Sequence, residues 1–379
     1  MDFGLTKEQE LVKQMLEEFV KNEVEPIAAE IDETERFPKE TVEAMARNGM
    51  MGMPFPKELG GSGTDYISYI MAVEELAKAC ATTSVILSAH TSLCCAPIFE
   101  FGTKEQKEKF LPELLSGRKI GAFGLTEPNA GTDASAQQSI AVKEDDCYIL
   151  NGSKIFITNG GVADTFVIFA MTDRSIGTKG ISAFIIEKGM PGFSIGKLED
   201  KMGIRGSSTT ELIFEDVKVP QGNMLGKEGK GFGIAMKTLD GGRIGIGAQA
   251  LGIAEGALEY AVSYMKERKQ FGKPLSAFQG LQWYVAEMKV KVDAARLLLY
   301  KAAWKKQTGQ PYSVEAAEAK LFTAETAMEV TTKSLQILGG YGYTKEYPLE
   351  RMMRDAKITE IYEGTSEVQK MVIAANVLR

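Results

Sequence analysis

Apolar residues recur along this chain with two different periods, and the switches between them divide it into three stretches. In "TKEQELVKQMLEEFVKNEV", Leu11, Val12, Met15, Leu16, Phe19 and Val20 fall on one stripe at helical spacing. Thr6 with Gln9 gives that helix a capping box: the hydroxyl accepts from the third helical amide and the glutamine reaches back. A second helix is predicted to enter through Pro38 and stop at Gly49, and a third to run from Asp65 to Lys78 after the loop "PKELGGSG". Thr103 and Gln106 repeat the capping box before "KEKFLPELL", so residues 1–120 read as an all-helical unit.

From 121 to 228 the pattern shortens. "DCYILNGSKIFITNG", "TFVIFAMTD", "GISAFIIEKG", "GFSIGKLED" and "TTELIFEDVKVP" are β-rich runs separated by Gly, Asn, Asp and Pro turns. No long amphipathic segment interrupts them, which predicts an antiparallel barrel or sandwich rather than βαβ units. From 229 to 379 long helices return. Leu281, Val285, Met288, Val292, Ala295 and Leu299 alternate four and three apart, as do Ala317, Leu321, Ala324, Met328, Thr331, Leu335 and Leu338. Joined by "TGQPYS", these seams predict an antiparallel pair in a helix bundle. The expected fold is α+β, in the order helical, β, helical.

Composition narrows the function by exclusion. At 379 residues, with 44% hydrophobic and 25% charged content, the chain has the make-up of a globular protein of two or three domains. A net charge of −7 provides no basic field for nucleic acid, so an anionic ligand needs local donors. No apolar run reaches the ~18–20 residues of a membrane span, and "MDFGLTKEQE" lacks the basic–apolar pattern of a signal peptide. Four cysteines, with Cys94 and Cys95 adjacent, do not form a disulfide framework, and a reducing cytoplasm is the expected location. The one histidine, His90, excludes an HExxH zinc site and limits any nucleophilic triad to its own neighbourhood. Its apolar setting, "VILSAHTSLCCAP", predicts a packed or capping role, which leaves proton chemistry to a carboxylate. No metal site is expected.

Neither GxGxxG after a strand nor GxxxxGK[ST] occurs. "FGLTEPNAGTDAS", residues 123–135, is either a plain turn or a source of backbone and hydroxyl donors for a polar ring edge or phosphate. "KIFITNGG" places an aromatic and a threonine ahead of a turn. In "MKERKQFGKPLSAFQG", Lys266, Arg268, Lys269 and Lys273 surround Phe271, either as a solvated basic loop or with Arg268 forking onto a phosphate. The paired glycines of "LQILGGYGYT" are a helix cap or a backbone kept bare for a ligand. "ITEIYEGTSEV" sets Glu360 and Glu363 in an apolar run before a Gly-Thr-Ser turn, as a solvated turn or as a base beside a bound ligand.

Taken together, "LTEPNAGTDAS", "FITNGG", "LDGGRIGIGAQALGIA", "ERKQFGKPLSAFQ", "QILGGYGY" and "RDAKITEIYEGTSEVQ" resemble the acyl-CoA dehydrogenases over the whole chain, and most nearly the short-chain, bacterial butyryl-CoA type. The resemblance implies an N-terminal helical domain (1–120), a central β-domain (121–228) and a C-terminal four-helix bundle (229–379), with FAD between the last two. It implies that Phe123, Leu125, Thr126, Gly131 and Thr132 line the flavin and its phosphate side. Phe156, Ile157 and Thr158 would cover the isoalloxazine, Phe156 standing where many relatives carry tryptophan. A neighbouring subunit would grip the same FAD through Arg268, Phe271, Gln279, Gln336, Ile337, Gly339 and Gly340, hence a homo-oligomer, usually a tetramer. Thr365 and Glu367 would return to the cofactor of their own subunit.

Substrate contacts carry over to Thr132, Asp240, Arg243 and Gly364, although Asp240 and Arg243 also suit a structural ion pair. The base carries over to Glu363. One branch of the family places its glutamate within the stretch that here reads "LDGGR", and the matching residue, Gly242, has no carboxylate. The implied reaction oxidises a short acyl-CoA to the trans-2-enoyl-CoA and passes electrons to an electron-transferring flavoprotein. Branched short-chain or glutaryl-CoA dehydrogenase activity is the alternative, and a non-catalytic flavin-binding carrier a more distant one.

Overall fold

The computed structural model describes residues 4–378. Its first helices are α1 (Lys7–Phe19), α2 (Ala28–Thr34), α3 (Lys39–Arg47), α4 (Tyr66–Ala79), α5 (Ala81–Ser88), α6 (Ala96–Phe101) and α7 (Lys104–Leu115). Both capping boxes form: Thr6 and Gln9 start α1, and Thr103 and Gln106 start α7. Pro38 precedes α3, and Asp65 caps α4 by accepting from the Ser68 amide at 2.7 Å. The predicted α1 stripe holds at Leu16 and Phe19 but not at Leu11, which is 66% exposed. Five residues turn Leu11 about 140° around the helix from Leu16, away from the core.

The central strands are β1 (Gly121–Gly124), β2 (Ile140–Glu144), β3 (Cys147–Thr158), β4 (Thr165–Met171), β5 (Ile181–Glu187), β6 (Phe193–Leu198), β7 (Thr209–Pro220) and β8 (Met224–Leu225). They form a sheet in the order β6-β7-β3-β2-β4-β5-β8, with β1 also on β4. Most pairings are antiparallel, as expected, but β1 and one residue of β2 run parallel to β4. The β2–β3 hairpin lies between β1 and β4 in the chain, which gives the length a parallel return needs. Strand β4 is buried on both faces. Val167 and Phe169 pack towards the helices, whereas Phe166, Ile168 and Ala170 face the interior of the β-unit, so the six residues after Thr165 read as an unbroken apolar run.

The C-terminal helices are α8 (Gly231–Glu267), α9 (Gln279–Gln307), α10 (Ser313–Leu338), α11 (Leu349–Ile358) and α12 (Ser366–Val377), with a small ribbon, β9 (Lys269–Gln270) and β10 (Lys273–Pro274), between α8 and α9. Helix α8 is buried without a break from Gly241 to Ala254, between the N-terminal helices and the bundle. Its glycines permit the fit: a Cβ on Gly252 would stand 2.1 Å from the Glu74 carbonyl oxygen of α4.

One helical run, Ala81–Phe101, is long and apolar enough to cross a membrane, contrary to the sequence expectation, yet 78% of its apolar 18-residue window is buried within the fold. It comprises α5, a π-helical stretch over Ala89–Cys95, and α6. His90 lies inside it, fully buried, and accepts from the Gly121 amide at 3.0 Å through Nδ1. Burial pushes the imidazole down to about 4. The histidine is a packed residue that ties the helical unit to β1.

Candidate active site

Helix α11 ends at Ile358 and is followed by its C-cap, Thr359, whose hydroxyl donates back to the Ala356 carbonyl at 2.7 Å. The chain then reverses into α12 through two successive left-handed residues, Glu363 at φ +52° and Gly364 at φ +95°. Glycine adopts this region freely, but for glutamate it costs on the order of 1 kcal/mol, so the turn must be held from outside. Two side chains hold it. Lys320 Nζ on α10 donates to the Gly364 carbonyl at 2.7 Å, and Gln369 Nε2 on α12 donates to the same oxygen at 2.8 Å. Next to it, the Tyr362 hydroxyl donates to buried Gln249, which in turn donates to the Ala81 carbonyl at 2.9 Å. Thr365 caps α12, accepting from the Val368 amide at 3.3 Å.

The turn directs the Glu363 carboxylate inward, against Gly242 of α8 and Leu93 of the π-helical stretch. A Cβ built on Gly242 would lie 1.9 Å from Glu363 Oε2 and 2.9 Å from a Leu93 methyl. Oε2 is buried and has no hydrogen-bond partner. Burial pushes this carboxyl up to about 7, with Lys320 and then Arg243 opposing. Glu360, by contrast, accepts from Lys357 at 2.6 Å. The arrangement gives a carboxylate near neutrality with one orphaned oxygen, buried against Gly242 and Leu93, the condition of a general base.

Asp240 and Arg243 pair at 2.7 Å one helical turn apart on α8. Arg243 is 6% exposed, and its Nε is buried without a partner, so the guanidinium keeps a donor free. Burial raises the Asp240 carboxyl despite Arg243.

The 123–135 loop is organised by a buried pair that the sequence reading missed. Lys154 Nζ on β3 donates to Glu127 at 2.7 Å, to Gln137 at 2.9 Å and to the Leu125 carbonyl at 3.1 Å. Glu127 also accepts from the amides of Gln138 and Ser139. This fixes the backbone that carries Leu125 and Thr126, which is tied to β3 by the Ile155 amide on the Thr126 carbonyl at 2.9 Å. Phe123 packs its ring on Phe169, and Gly131 and Thr132 are exposed. Across from them, β3 bulges between Lys154 and Ile157. The bulge sets Phe156 at φ +57° with 61% exposure, while Ile157 turns inward and Thr158 is half-buried.

Most of the residues expected to serve a neighbouring subunit face solvent; Arg268 is half-buried and Ile337 buried. Phe271 is at φ +51° and 92% exposed, and Gln279, Gln336, Gly339 and Gly340 are exposed. Arg268 stacks on Tyr341, 5.3 Å from its ring centre. Glu367 is exposed in the first turn of α12.

Lys320, Gln369, Lys154 and Glu127 were not predicted as site residues. The one signal for Lys320 was a lysine inside the apolar face of "AEAKLF"; Glu127, Lys154 and Gln369 lie within the quoted motifs "FGLTEPNAGTDAS", "KIFITNGG" and "RDAKITEIYEGTSEVQ", where nothing in the spacing set them apart from their neighbours.

The chain matches three sequence families along its length: the acyl-CoA dehydrogenase N-terminal domain over residues 6–118, the middle domain over 122–217 and the C-terminal domain over 229–378. It is 71% identical to the short-chain specific acyl-CoA dehydrogenase of Clostridium acetobutylicum, with all of both chains covered. It superposes on butyryl-CoA dehydrogenase from Megasphaera elsdenii with a TM-score of 0.99 at 58% identity, again over all of both chains. The same values hold for a chain in the structure of the electron-transferring flavoprotein of Acidaminococcus fermentans, solved towards a mechanism of flavin-based electron bifurcation. PigA, solved with FAD, matches at TM-score 0.95 and 32% identity over 100% of this chain and 99% of its own. With three matched regions in family order and relatives alike from end to end, this chain belongs to the acyl-CoA dehydrogenase family.

Proposed function

We propose that the chain is a short-chain acyl-CoA dehydrogenase that oxidises butyryl-CoA to the trans-2-enoyl-CoA, with FAD as cofactor and an electron-transferring flavoprotein as acceptor. The substrate and acceptor follow the butyryl-CoA dehydrogenase and electron-transferring flavoprotein structures it matches, and FAD follows PigA. The observation that carries the chemistry is the buried, unpartnered Glu363 Oε2 with its carboxyl pushed up to about 7.

The residues present fit FAD. Phe156 is held out at 61% exposure on a left-handed backbone, free to cover a ring, and an added Cβ at Gly131, Gly339 or Gly340 meets nothing within 4 Å. Leu125, Thr126, Phe156, Ile157 and Thr158 would hold the ring, with Phe123, Gly131 and Thr132 beside it. Arg268, Phe271, Gln279, Gln336, Ile337, Gly339 and Gly340 of a second copy would complete the grip in a homotetramer, with Thr365 and Glu367 from the subunit's own chain. When bound, FAD supplies a hydride acceptor for the β-carbon.

The chain's part is proton removal. An α-hydrogen of a thioester is weakly acidic, so its loss needs a base and donors on the carbonyl oxygen. Glu363 takes the proton; its carboxyl, raised towards neutrality, matches the working pH. The backbone amide of Glu363 lies on the same turn and would serve as one oxyanion donor, a type of contact worth ~3–4 kcal/mol. Gly364 leaves the backbone bare for the thioester, and Thr132, Asp240 and Arg243 bind the rest of the substrate. The same reading divides the chain into domains at 1–120, 121–228 and 229–379 and places it in the cytoplasm.

A panel of straight, branched and dicarboxylic acyl-CoA thioesters, followed by anaerobic flavin bleaching, tests the substrate. Fastest bleaching by butyryl-CoA is expected; fastest bleaching by glutaryl- or a branched acyl-CoA would overturn that choice.

A further inference from the structure

Lys320 is fully buried on α10, yet its ammonium has one hydrogen bond, to the Gly364 carbonyl at 2.7 Å, and no ion pair among the described residues. A cation in that setting is costly, and a methionine would fill the same space without the charge. The carbonyl it binds belongs to the residue that follows Glu363 in the turn.

We propose that Lys320 is a positioning residue for the base: it clamps the Glu363–Gly364 turn through the Gly364 carbonyl, and its charge keeps the Glu363 carboxylate available in its ionised form. The proposal rests on the reading of Glu363 as the base. Gln369 shares the carbonyl but brings no charge, so the electrostatic part falls to Lys320.

The charged groups around the pair come from several elements. Arg243 faces both Lys320 and Glu363 from α8; Glu360 and Glu367 face Lys320 from either side of the turn. Tyr66 and Tyr69 of α4, and Tyr362, face the carboxylate. Burial pushes Lys320 down to about 8, with Glu363 as the main opposing influence, and Lys320 is in turn the larger of the two cations that restrain the rise of Glu363. The two groups therefore titrate close together, and each supports the charged form of the other.

Three variants of the holoenzyme separate clamp from charge: Lys320→Met has neither, Lys320→Gln keeps a donor, and Lys320→Arg keeps both. For each, the rate of anaerobic flavin bleaching by butyryl-CoA is measured across pH, with FAD content as a control. Removing the cation favours neutral Glu363, so its titration moves to higher pH. Lys320→Met is expected to lose about 10- to 100-fold in rate at pH 7 and to recover part of it in alkali. Lys320→Gln is expected to show the same alkaline displacement with a smaller loss, and Lys320→Arg to keep the wild-type profile. A readout without turnover is proton uptake on binding a butyl-CoA thioether, by calorimetry in two buffers at pH 7. It should fall in Lys320→Met and Lys320→Gln, because their Glu363 is already protonated.

Unmoved profiles and proton uptake in the FAD-replete Met or Gln variant would overturn the proposal. If Lys320→Met does not fold, the Gln–Arg comparison decides, and identical behaviour of those two refutes the role of charge. Failure of the underlying reading looks different: Glu363→Gln would bleach the flavin whatever stands at 320.

Discussion

Gly242 and Glu363 occupy one place in the fold: a Cβ on the first would lie 1.9 Å from Oε2 of the second, although 120 residues separate them in sequence. The space the carboxylate needs exists because α8 has a glycine there. Gly242→Ala should displace the carboxylate and cut the bleaching rate about 100-fold, since displacements near 1 Å carry losses of that order. Stopped-flow bleaching with FAD content as control checks this; an unchanged rate would mean that the carboxylate works from elsewhere.

Glu363 also burdens the fold in a pH-dependent way. Its carboxyl titrates at about 7 in the folded chain against an ordinary 4.5, so the native state binds more protons between those values. Stability contributed by the neutral acid is therefore complete below pH 4.5 and is lost as pH rises through 7. The apoprotein of Glu363→Gln should be more stable than wild type at pH 8, by up to ~3 kcal/mol, and equal to it at pH 4. Urea unfolding at the two pH values reads the difference.

Lys154 and Glu127 form a buried pair whose loss strands a charge beneath the 123–135 loop. Lys154→Met should cost about 3–5 kcal/mol, as breaking one side of a buried pair does, and should weaken FAD retention with it. Thermal unfolding and cofactor content after gel filtration are the measurements.

Phe156 combines a left-handed backbone with 61% exposure, so its ring contributes little to the chain's own packing. Phe156→Gly should relieve about 1 kcal/mol of backbone strain and leave the apoprotein at least as stable, while FAD affinity falls. A less stable apoprotein would show that the ring is a packing residue instead.

Local signals read well from the sequence because their partners are local. Both capping boxes, the Pro38 and Asp65 helix starts, and the five long strands span a few residues each and form where expected. Strands β1, β2 and β8 are short and α2 has no cap signal, so they left no period to detect. The Ala81–Phe101 run was broken in the reading by its serines, threonines and His90, which are buried in the fold and belong to one continuous apolar helix.

At the site, Glu363 and Gly242 could each be singled out in sequence, but not the fact that they meet. Lys154 with Glu127, and Lys320 with Gly364, are long-range polar pairs at 27 and 44 residues' separation, for which no periodicity exists. They hold in place the loop and the turn that the motifs had identified.

The central claim, that Glu363 removes the α-proton, is tested most directly by anaerobic stopped-flow bleaching of FAD-replete Glu363→Gln with butyryl-CoA. The expected result is a yellow protein that binds FAD and the thioester normally and bleaches at least ~100-fold more slowly than wild type, a general base contributing about 10²–10⁴-fold. Bleaching at the wild-type rate would contradict it.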